Sequence, residues 1–597
     1  MGNAKSKASN KGKQTNKLAV IGGAVVALLF VCCIILSVIV DTGITDRSKI
    51  VMSTNNYKVN GSMLKYFYNA QVNTFYNNYY SYVSYLGLDF SKSLKDQLCS
   101  MTEDKTDTWY DYFMDLTTSE LEQYLVYCEA AKAEGVKLDD DDIKDIEKAI
   151  DAIETSANSN GYSLSGYITA AYGSGVKEKD VRDCLELIQL YAKYAEIRYD
   201  EIKDGVTDAD VDKQVKDYIT KYLVADYMSF SWTATNKEIK EADYKTKEEY
   251  EAAKKTAQEK YDALKAKYDG YAETLKKTET YDDFKKALEK IIYDEQYETL
   301  KESEYKKRLE EYKDKNKDAT DKEAEEAVIK KMEEDVKKSV ETAMEKALTE
   351  SGTYNITSDL GKWIFGTEVK DAVQDEDEKD EDKKEDDDKE EDKKDEEPVP
   401  AAKEGDIFTN ATNKEDEEKS GKYTVTVAYL VKAAALDESP TKNVGHILVS
   451  TNLSSTATAE QKKEASEEAK KEAQKILDEY LAGELTKDAF EKLGEKYTDD
   501  SGVFYEGVKE GVMIDNFNNW LFSLEDYKDV VRKVGDTGLV ETDYGWHVMY
   551  YDGDGHEYWY ECAKADFVSD ELEDWFEAKS KEFKVNVNEK AISNVTL

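Results

Sequence analysis

A long apolar stretch comes early in the chain. Residues 18 to 40, "LAVIGGAVVALLFVCCIILSVIV", form 23 positions without a charge. At roughly 1.5 Å per residue, a helix of this length crosses a hydrocarbon core of about 30 Å. It predicts a transmembrane anchor. Beyond it the pattern turns amphipathic. In "NGSMLKYFYNAQVNTFYNNYYSYVSYLG" (60–87) apolar and aromatic residues recur three and four apart, which is helical spacing. "TSELEQYLVYCEAAKAEGVKLDDDDIKDIEKAI" (118–150) predicts a helix, a glycine-containing turn and a second helix that starts at its aspartates. "VTDADVDKQVKDYITKYLVADYMSFSW" (206–232) is expected to repeat that logic. Residues 236 to 348 keep a thin apolar stripe among Lys and Glu residues three or four apart, a pattern of solvated helices. A helical arm or bowl fits it better than a dimeric coiled coil, because strict heptads are absent.

The period changes again towards the C-terminus. "GHILVS" (445–450) and "YGWHVMYYD" (544–552) read as strands. Between them lie three helical segments: 458–483 with Thr458 as cap and Gly483 as stop, 485–498, and 513–523. Strand, helices, strand predicts a small mixed sheet with helices packed against it. Two stretches also repeat one order of features. "LGKWIFGTEVKDAV" with "EGDIF" and "GKYTVTVAYLVKA" (360–433) follows "FNNWLFSLEDYKDVV" with "VGDTGLV" and "YGWHVMYYDGD" (517–554) in its sequence of features. Each has W-φ-F, then G-D, then a strand starting at Tyr, so the first copy reads as a degenerate half. It carries Val425–Thr426–Val427 where the second has Trp546–His547–Val548, with no evident counterpart of "HILV".

Charge and composition add the location. Five lysines (Lys5, Lys7, Lys11, Lys13, Lys17) precede the apolar run and Asp41 follows it. That asymmetry holds the short end in the cytoplasm and sends the remainder outside. A cleaved signal peptide fits less well, since its apolar core is typically about 7–15 residues. The net charge of -46 argues against nucleic acid, which needs a clustered basic face. Six cysteines without a C-x-x-C pair read as isolated core thiols. The run from 375 to 404 has no apolar residue before Val399 and predicts a disordered acidic loop.

Candidate chemistry centres on histidine. The chain has three histidines against 43 tyrosines, and His446 and His547 each sit in one of the two strands. They could be a metal pair, an acid/base pair, or two polar residues satisfying each other. A zinc site needs further ligands, and none is evident in this segment.

The surrounding motifs resemble the parvulin-type peptidyl-prolyl cis/trans isomerases. "HILV" stands at 446 to 449. The family segment "F..LA..YS.D" is matched by Phe490, Leu493, Tyr497, Thr498 and Asp500. An M-x-x-x-F helix is matched by Met513 and Phe517, and the closing strand pair by Gly538, Val540, Thr542, Gly545, His547 and Met549. The glycine-rich "GG-x-LG" of the family is altered here to "SGVFYEGVKEGVM" (501–513), with Gly502 as one glycine and Phe504 in the apolar position. The resemblance implies that His446 and His547 lie on neighbouring central strands near Asp500, with Thr542 completing the polar network as catalytic residues. It implies a proline slot made by Met513 and Phe517, with Phe504 beside them, and no cofactor or metal.

The whole chain resembles the PrsA-like membrane-attached extracellular foldases of Gram-positive bacteria, and "YKVNGSMLKYFYN" (57–69) is similar to the start of their helical chaperone domains. The expected organisation is α+β and multidomain. It has a cytoplasmic basic tail (1–17), an anchor (18–40), a helical chaperone-like region (52–350), a degenerate parvulin-like half (351–440) interrupted by the acidic loop, a parvulin-like isomerase domain (441–556) and a C-terminal helical extension (557–597). The implied function is an extracellular, single-pass, membrane-anchored foldase that isomerises X–Pro bonds and holds unfolded or newly secreted polypeptides. The alternative is a membrane-tethered holdase with a catalytically weak or inactive parvulin-like domain. Tyrosine content and charged helices alone would also suit an adhesive surface protein. Oligomeric state stays open, a dimer being one option.

Overall fold

The computed structural model describes residues 43–367 and 399–596, apart from 81, 84, 103–105, 237, 348, 349, 452 and 454–456. The basic tail, the anchor and most of the acidic loop (375–398) lie outside the described residues. Among the described residues, no helix is long and apolar enough to cross a membrane.

The chain divides into two compact units, Met1–Val206 with Val568–Leu597, and Thr207–Phe567. In the first unit, helices Gly61–Tyr79, Trp109–Ala133, Asp140–Ser159 and Glu178–Gly205 follow the amphipathic spacing of the sequence. The turn at 134–139 contains Gly135, and Asp139 caps the next helix by accepting from the backbone N–H groups of Asp141 and Asp142. The acidic cluster is therefore helix-start chemistry. The core is aromatic, with Trp109, Phe113 and Tyr194 fully buried. Lys65, also fully buried, pairs with Asp46 at 2.8 Å. The strand Asn586–Val587 pairs with Ile50–Ser53, so the C-terminal segment completes this unit's small sheet.

The second unit holds two four-stranded antiparallel sheets. The first is built from β1 (Leu223–Thr235), β2 (Glu350–Thr353), β3 (Ile407–Ala411) and β4 (Lys422–Leu436), in the order β2-β1-β4-β3. Three long helices, α1 (Lys247–Leu275), α2 (Tyr281–Lys315) and α3 (Asp321–Lys346), intervene between β1 and β2, and the short α4 (Asp359–Phe365) follows β2. The second sheet is built from β5 (Pro440–Ser450), β6 (Phe504–Lys509), β7 (Thr537–Thr542) and β8 (Gly545–Glu557), in the order β6-β5-β8-β7. Here α5 (Ala459–Ala482) and α6 (Lys487–Tyr497) lie between the first two strands, and α7 (Asp515–Phe522) follows β6.

The two sheets thus share strand order, pairing and the position of the short helix. The likeness extends to single hydrogen bonds. Gly405 N–H donates to Leu430 O as Gly535 N–H donates to Tyr551 O, and Leu430 N–H donates to Asp406 O as Tyr551 N–H donates to Asp536 O. Asp406 and Asp536 each accept from the backbone N–H three residues earlier, at 2.8 Å. Gly405 and Gly535 both take the left-handed φ, at 89° and 92°, a conformation that favours glycine. The repeat read from "W-φ-F, G-D, strand" is a duplicated fold.

Three expectations are corrected. The stretch 206–232 is not two helices: after a helix at Asp208–Asp217 it forms β1. Met228, Phe230, Trp232 and Ala234 alternate onto one buried face, and period-two alternation of this kind suits a strand. That strand is the counterpart of "HILV", so the first copy does not lack it. Nor is 52–350 one helical region, because it crosses the unit boundary at 206/207 and its last three long helices are an insertion within the first sheet.

Candidate active site

The second sheet has two apolar faces. Ile447, Val449, Trp546, Val548 and Tyr550 pack under α5 and α6, while Val444, Val540, Met549 and Tyr551 pack against α7. Strand alternation places His446 with Val444 and His547 with Met549, both on the α7 face. The register pairs His446 with Met549 and His547 with Leu448, which sets the two imidazoles diagonally across the central strand pair. Their Nδ1 atoms are 3.0 Å apart, and the residues are 3% and 4% exposed.

The outer ring nitrogens each have a partner. His446 Nε2 lies 3.3 Å from Asp500 Oδ2, and His547 Nε2 lies 2.8 Å from Thr542 Oγ1. The first is a charge contact and not a hydrogen bond, and the negative carboxylate, which can only accept, favours the His446 proton on Nε2. His446 Nδ1 is then an acceptor, and His547 Nδ1–H donates to it. His547 Nε2 in turn accepts from the Thr542 hydroxyl, whose oxygen accepts from Tyr544 N–H at 3.2 Å. The proton positions follow from the network. Asp500 is held by Ser501 N–H, which donates to its Oδ1 at 2.7 Å.

Burial pushes both imidazoles below their ordinary pKa. For His446 the Asp500 carboxylate works against burial. For His547 the neighbouring imidazole adds to burial and takes it down to about 4. Both rings are neutral at neutral pH.

Phe517, from α7, stands edge-on to both rings, at 5.3 Å from His446 and 5.5 Å from His547. Met513, expected on the same helix, lies in the loop just before the N-cap Ile514 and packs into the same cluster. An open cleft of about 600 Å³ adjoins the network at Thr542, lined also by Ile514, Asp515, Asn516, Glu541, Asp543 and Tyr544.

The structure therefore brings His446, His547 and Thr542 into one chain of hydrogen bonds, sets the Asp500 carboxylate 3.3 Å from its outer end, and packs Phe517 and Met513 in the adjoining apolar cluster. It does not bring Phe504 there. Phe504 pairs with Gly445 across the sheet and points to the opposite face, against Phe490 and Tyr550. Its ring passes so near Gly445 that a Cβ there would sit 2.6 Å away. Phe504 is core. Its neighbour Tyr505 faces the site instead, 5.3 Å from the His446 ring. Sequence reasoning missed Tyr505, although strand parity from "FY" would have signalled that only one of the two faces the histidines. Among the described residues, no group of three or more His, Cys, Asp or Glu side chains is arranged to hold a metal ion.

Residues 446–553 match the family of the rotamase, PPIC-type PPIASE domain. None of the curated proteins matches the chain. The chain contains a parvulin-type peptidyl-prolyl isomerase domain, and the matched residues enclose the whole histidine network.

Proposed function

We propose that this domain isomerises X–Pro bonds in unfolded or newly secreted polypeptides, and that the chain is a membrane-anchored extracellular foldase. One observation carries the reading: the buried His446–His547–Thr542 hydrogen-bond chain, with the Asp500 carboxylate at its end, beside Phe517. Rotation about an X–Pro bond breaks no covalent bond but must cross a barrier of about 18–20 kcal/mol, because it sacrifices amide resonance. A catalyst must hold the twisted amide better than the planar one. The planar form is the more dipolar, so a wall that solvates it poorly favours the twist. Here His547 and Thr542 spend their donors within the network, the His446 N–H faces the Asp500 carboxylate, and the imidazoles are uncharged. Half-buried Met513, backed by the buried Phe517, presents an apolar surface for the ring, and the proline swings against a wall that offers its carbonyl little.

The anchor reading rests on residues 18–40 and the lysines before them. Protease added to intact protoplasts should remove everything after about residue 41 under this reading; a soluble product lacking 18–40 as the main form would contradict it.

A second reading, a tethered holdase with an idle isomerase domain, is favoured by one observation: Phe517 is only 3% exposed, so its ring offers a substrate little surface. Refolding separates the two. For a client whose slow phase is X–Pro isomerisation, a foldase shortens that phase at substoichiometric amounts, and His547→Ala abolishes the effect. A holdase raises the yield at stoichiometric amounts, leaves the slow phase unchanged and is indifferent to the substitution.

A further inference from the structure

The first sheet repeats the second almost residue for residue around the position of the active site. Aligning Gly405–Asp406 with Gly535–Asp536 places Thr412 on Thr542, and the β1–β4 and β5–β8 ladders then fix the rest. Ser229 pairs with Ala428 as His446 pairs with Met549, and Ser231 pairs with Thr426 as Leu448 pairs with His547. Ser229 and Thr426 therefore occupy the two histidine positions. The helices align through Trp363 and Trp520, which puts Ile356 on Met513 and Leu360 on Phe517. In both copies residue 402 or 532 donates to that tryptophan's carbonyl oxygen, Ala402 through its backbone N–H and Arg532 through Nε. In both copies, too, the first turn of the short helix is tied to the neighbouring strand, by Asn410 Nδ2 donating to Asp359 and by Asn516 Nδ2 donating to Glu541 O.

The substitutions between copies are not random. The two slot positions stay apolar, as Ile356 and Leu360, and both remain half-buried beside the cluster of Leu223, Ala225 and Leu430. The positions that carry the imidazoles become small hydroxyls. Ser231 and Thr426 hydrogen-bond to each other at 2.8 Å, as do Thr233 and Thr424, and Ser231 and Thr233 are exposed. The equivalent of Ser231 in the second copy, Leu448, is 8% exposed. The first copy keeps the apolar slot, loses the buried polar chain and leaves the adjoining sheet face uncovered.

We propose that the first repeat is a histidine-free prolyl-peptide-binding domain: Ile356 and Leu360 receive the proline ring of an unfolded chain, and the Ser231–Thr426 face receives the flanking backbone, without catalysing rotation. The proposal rests on the isomerase reading only for the identity of the slot. Hydroxyls that satisfy one another in the open cannot supply the dry, uncharged wall that the second copy builds around His446 and His547. They can exchange hydrogen bonds with a peptide backbone at little desolvation cost. A chain with one slot of each kind could hold one X–Pro segment while turning another.

The test uses the full chain in detergent and a short X–Pro peptide carrying a benzophenone next to the proline, with a matched peptide in which the proline is alanine. After irradiation, cross-links are mapped by mass spectrometry, and the cis-to-trans rate of an unlabelled X–Pro peptide is read in parallel. Two separate clusters of cross-links are expected, one around 356–360 and 407–412 and one around 513–517 and 541–547, each several-fold weaker with the alanine peptide. Ser231→Trp, an exposed position whose change leaves the core untouched, should abolish the first cluster and leave the second cluster and the isomerisation rate as they were. Leu360→Ser should do the same, with circular dichroism reporting that the sheet persists. Absence of the first cluster while the second is labelled would overturn the proposal, as would equal labelling by the alanine peptide or persistence of the first cluster in Ser231→Trp. If no rate acceleration is seen while both clusters form, the isomerase reading falls and the binding domain stands.

Discussion

His446 and His547 face each other through the same atom, Nδ1 to Nδ1 at 3.0 Å, and one proton fits between them. The pair is therefore directional, and the direction is set from outside by Asp500 at one end and answered by Thr542 at the other. Protonating His446 puts two N–H donors head to head, protonating His547 turns its Nε2 from an acceptor of the Thr542 hydroxyl into a donor, and either step puts a charge on a buried ring.

Acid should accordingly destabilise this domain earlier than carboxylates alone would. Both histidines have folded pKa values depressed by burial, His547 to about 4. The unfolded chain binds these protons more readily, so their contribution to stability is complete above the unfolded value of about 6.5 and is lost as pH falls towards 4. For His547 this amounts to roughly 2–3 kcal/mol. Denaturant midpoints from pH 7 to pH 4 should fall in the native chain and flatten in His446→Phe/His547→Phe. Parallel pH slopes for the two would refute the assignment.

Thr542→Val keeps the shape but removes the hydroxyl, leaving His547 Nε2 buried without its donor and Tyr544 N–H without its acceptor. An unpaired buried polar group costs about 1–3 kcal/mol. The expected result is a roughly tenfold lower kcat/KM in the order of one such loss, with Thr542→Ser restoring most of it. Equal losses from Val and Ser would mean that the methyl group, not the hydroxyl, matters.

The cleft beside Thr542 is rimmed by the exposed carboxylates Asp515, Glu541 and Asp543. Peptides with lysine next to proline should be captured several-fold better than those with glutamate at low salt. The gap should close near 1 M salt, where the screening length is only about 3 Å. A charge preference that ignores salt would point to shape instead.

Much of this site was legible before the fold was known. Period-two alternation made the two histidine stretches legible as strands, while Asp500, Met513 and Phe517 were placed by family resemblance; Met513, expected on one helix with Phe517, lies just before that helix, which starts at Asp515. Phe504 failed on parity: one residue along a strand reverses the face, and the altered loop hid where β6 begins. β1 was hidden for a longer-range reason. Its partners β2 and β4 lie far along the chain beyond three inserted helices, so no hairpin signal flanked it, and the helix before it biased the reading. Sheet pairing over such separations is written in the strands' shared alternation, which only the assembled ladder makes plain.

In the first unit, Asp46→Ala should strand the buried Lys65 ammonium, and breaking a buried pair in this way typically costs about 3–5 kcal/mol. Lys65 also donates to Ser174 O at 2.9 Å, so the ammonium would keep one partner and the loss should sit at the lower end. Thermal unfolding should show an early transition in this unit, while isomerisation by the second unit continues at the native rate below it. An unshifted transition would mean that the pair contributes nothing net.

The central claim is that the buried network makes this domain an isomerase, and one measurement addresses it directly. The cis-to-trans rate of a short X–Pro peptide is followed by exchange-sensitive NMR with the full chain, with His547→Ala and with Asp500→Asn. Asp500 is about one-third exposed at its side chain, so its amide variant should stay folded while losing the carboxylate that fixes both tautomers. The account predicts clear acceleration by the native chain, a loss of tenfold or more in His547→Ala, and an intermediate loss in Asp500→Asn with an unchanged circular dichroism spectrum. A folded native chain that leaves the rate at its uncatalysed value across a series of residues before proline would contradict it.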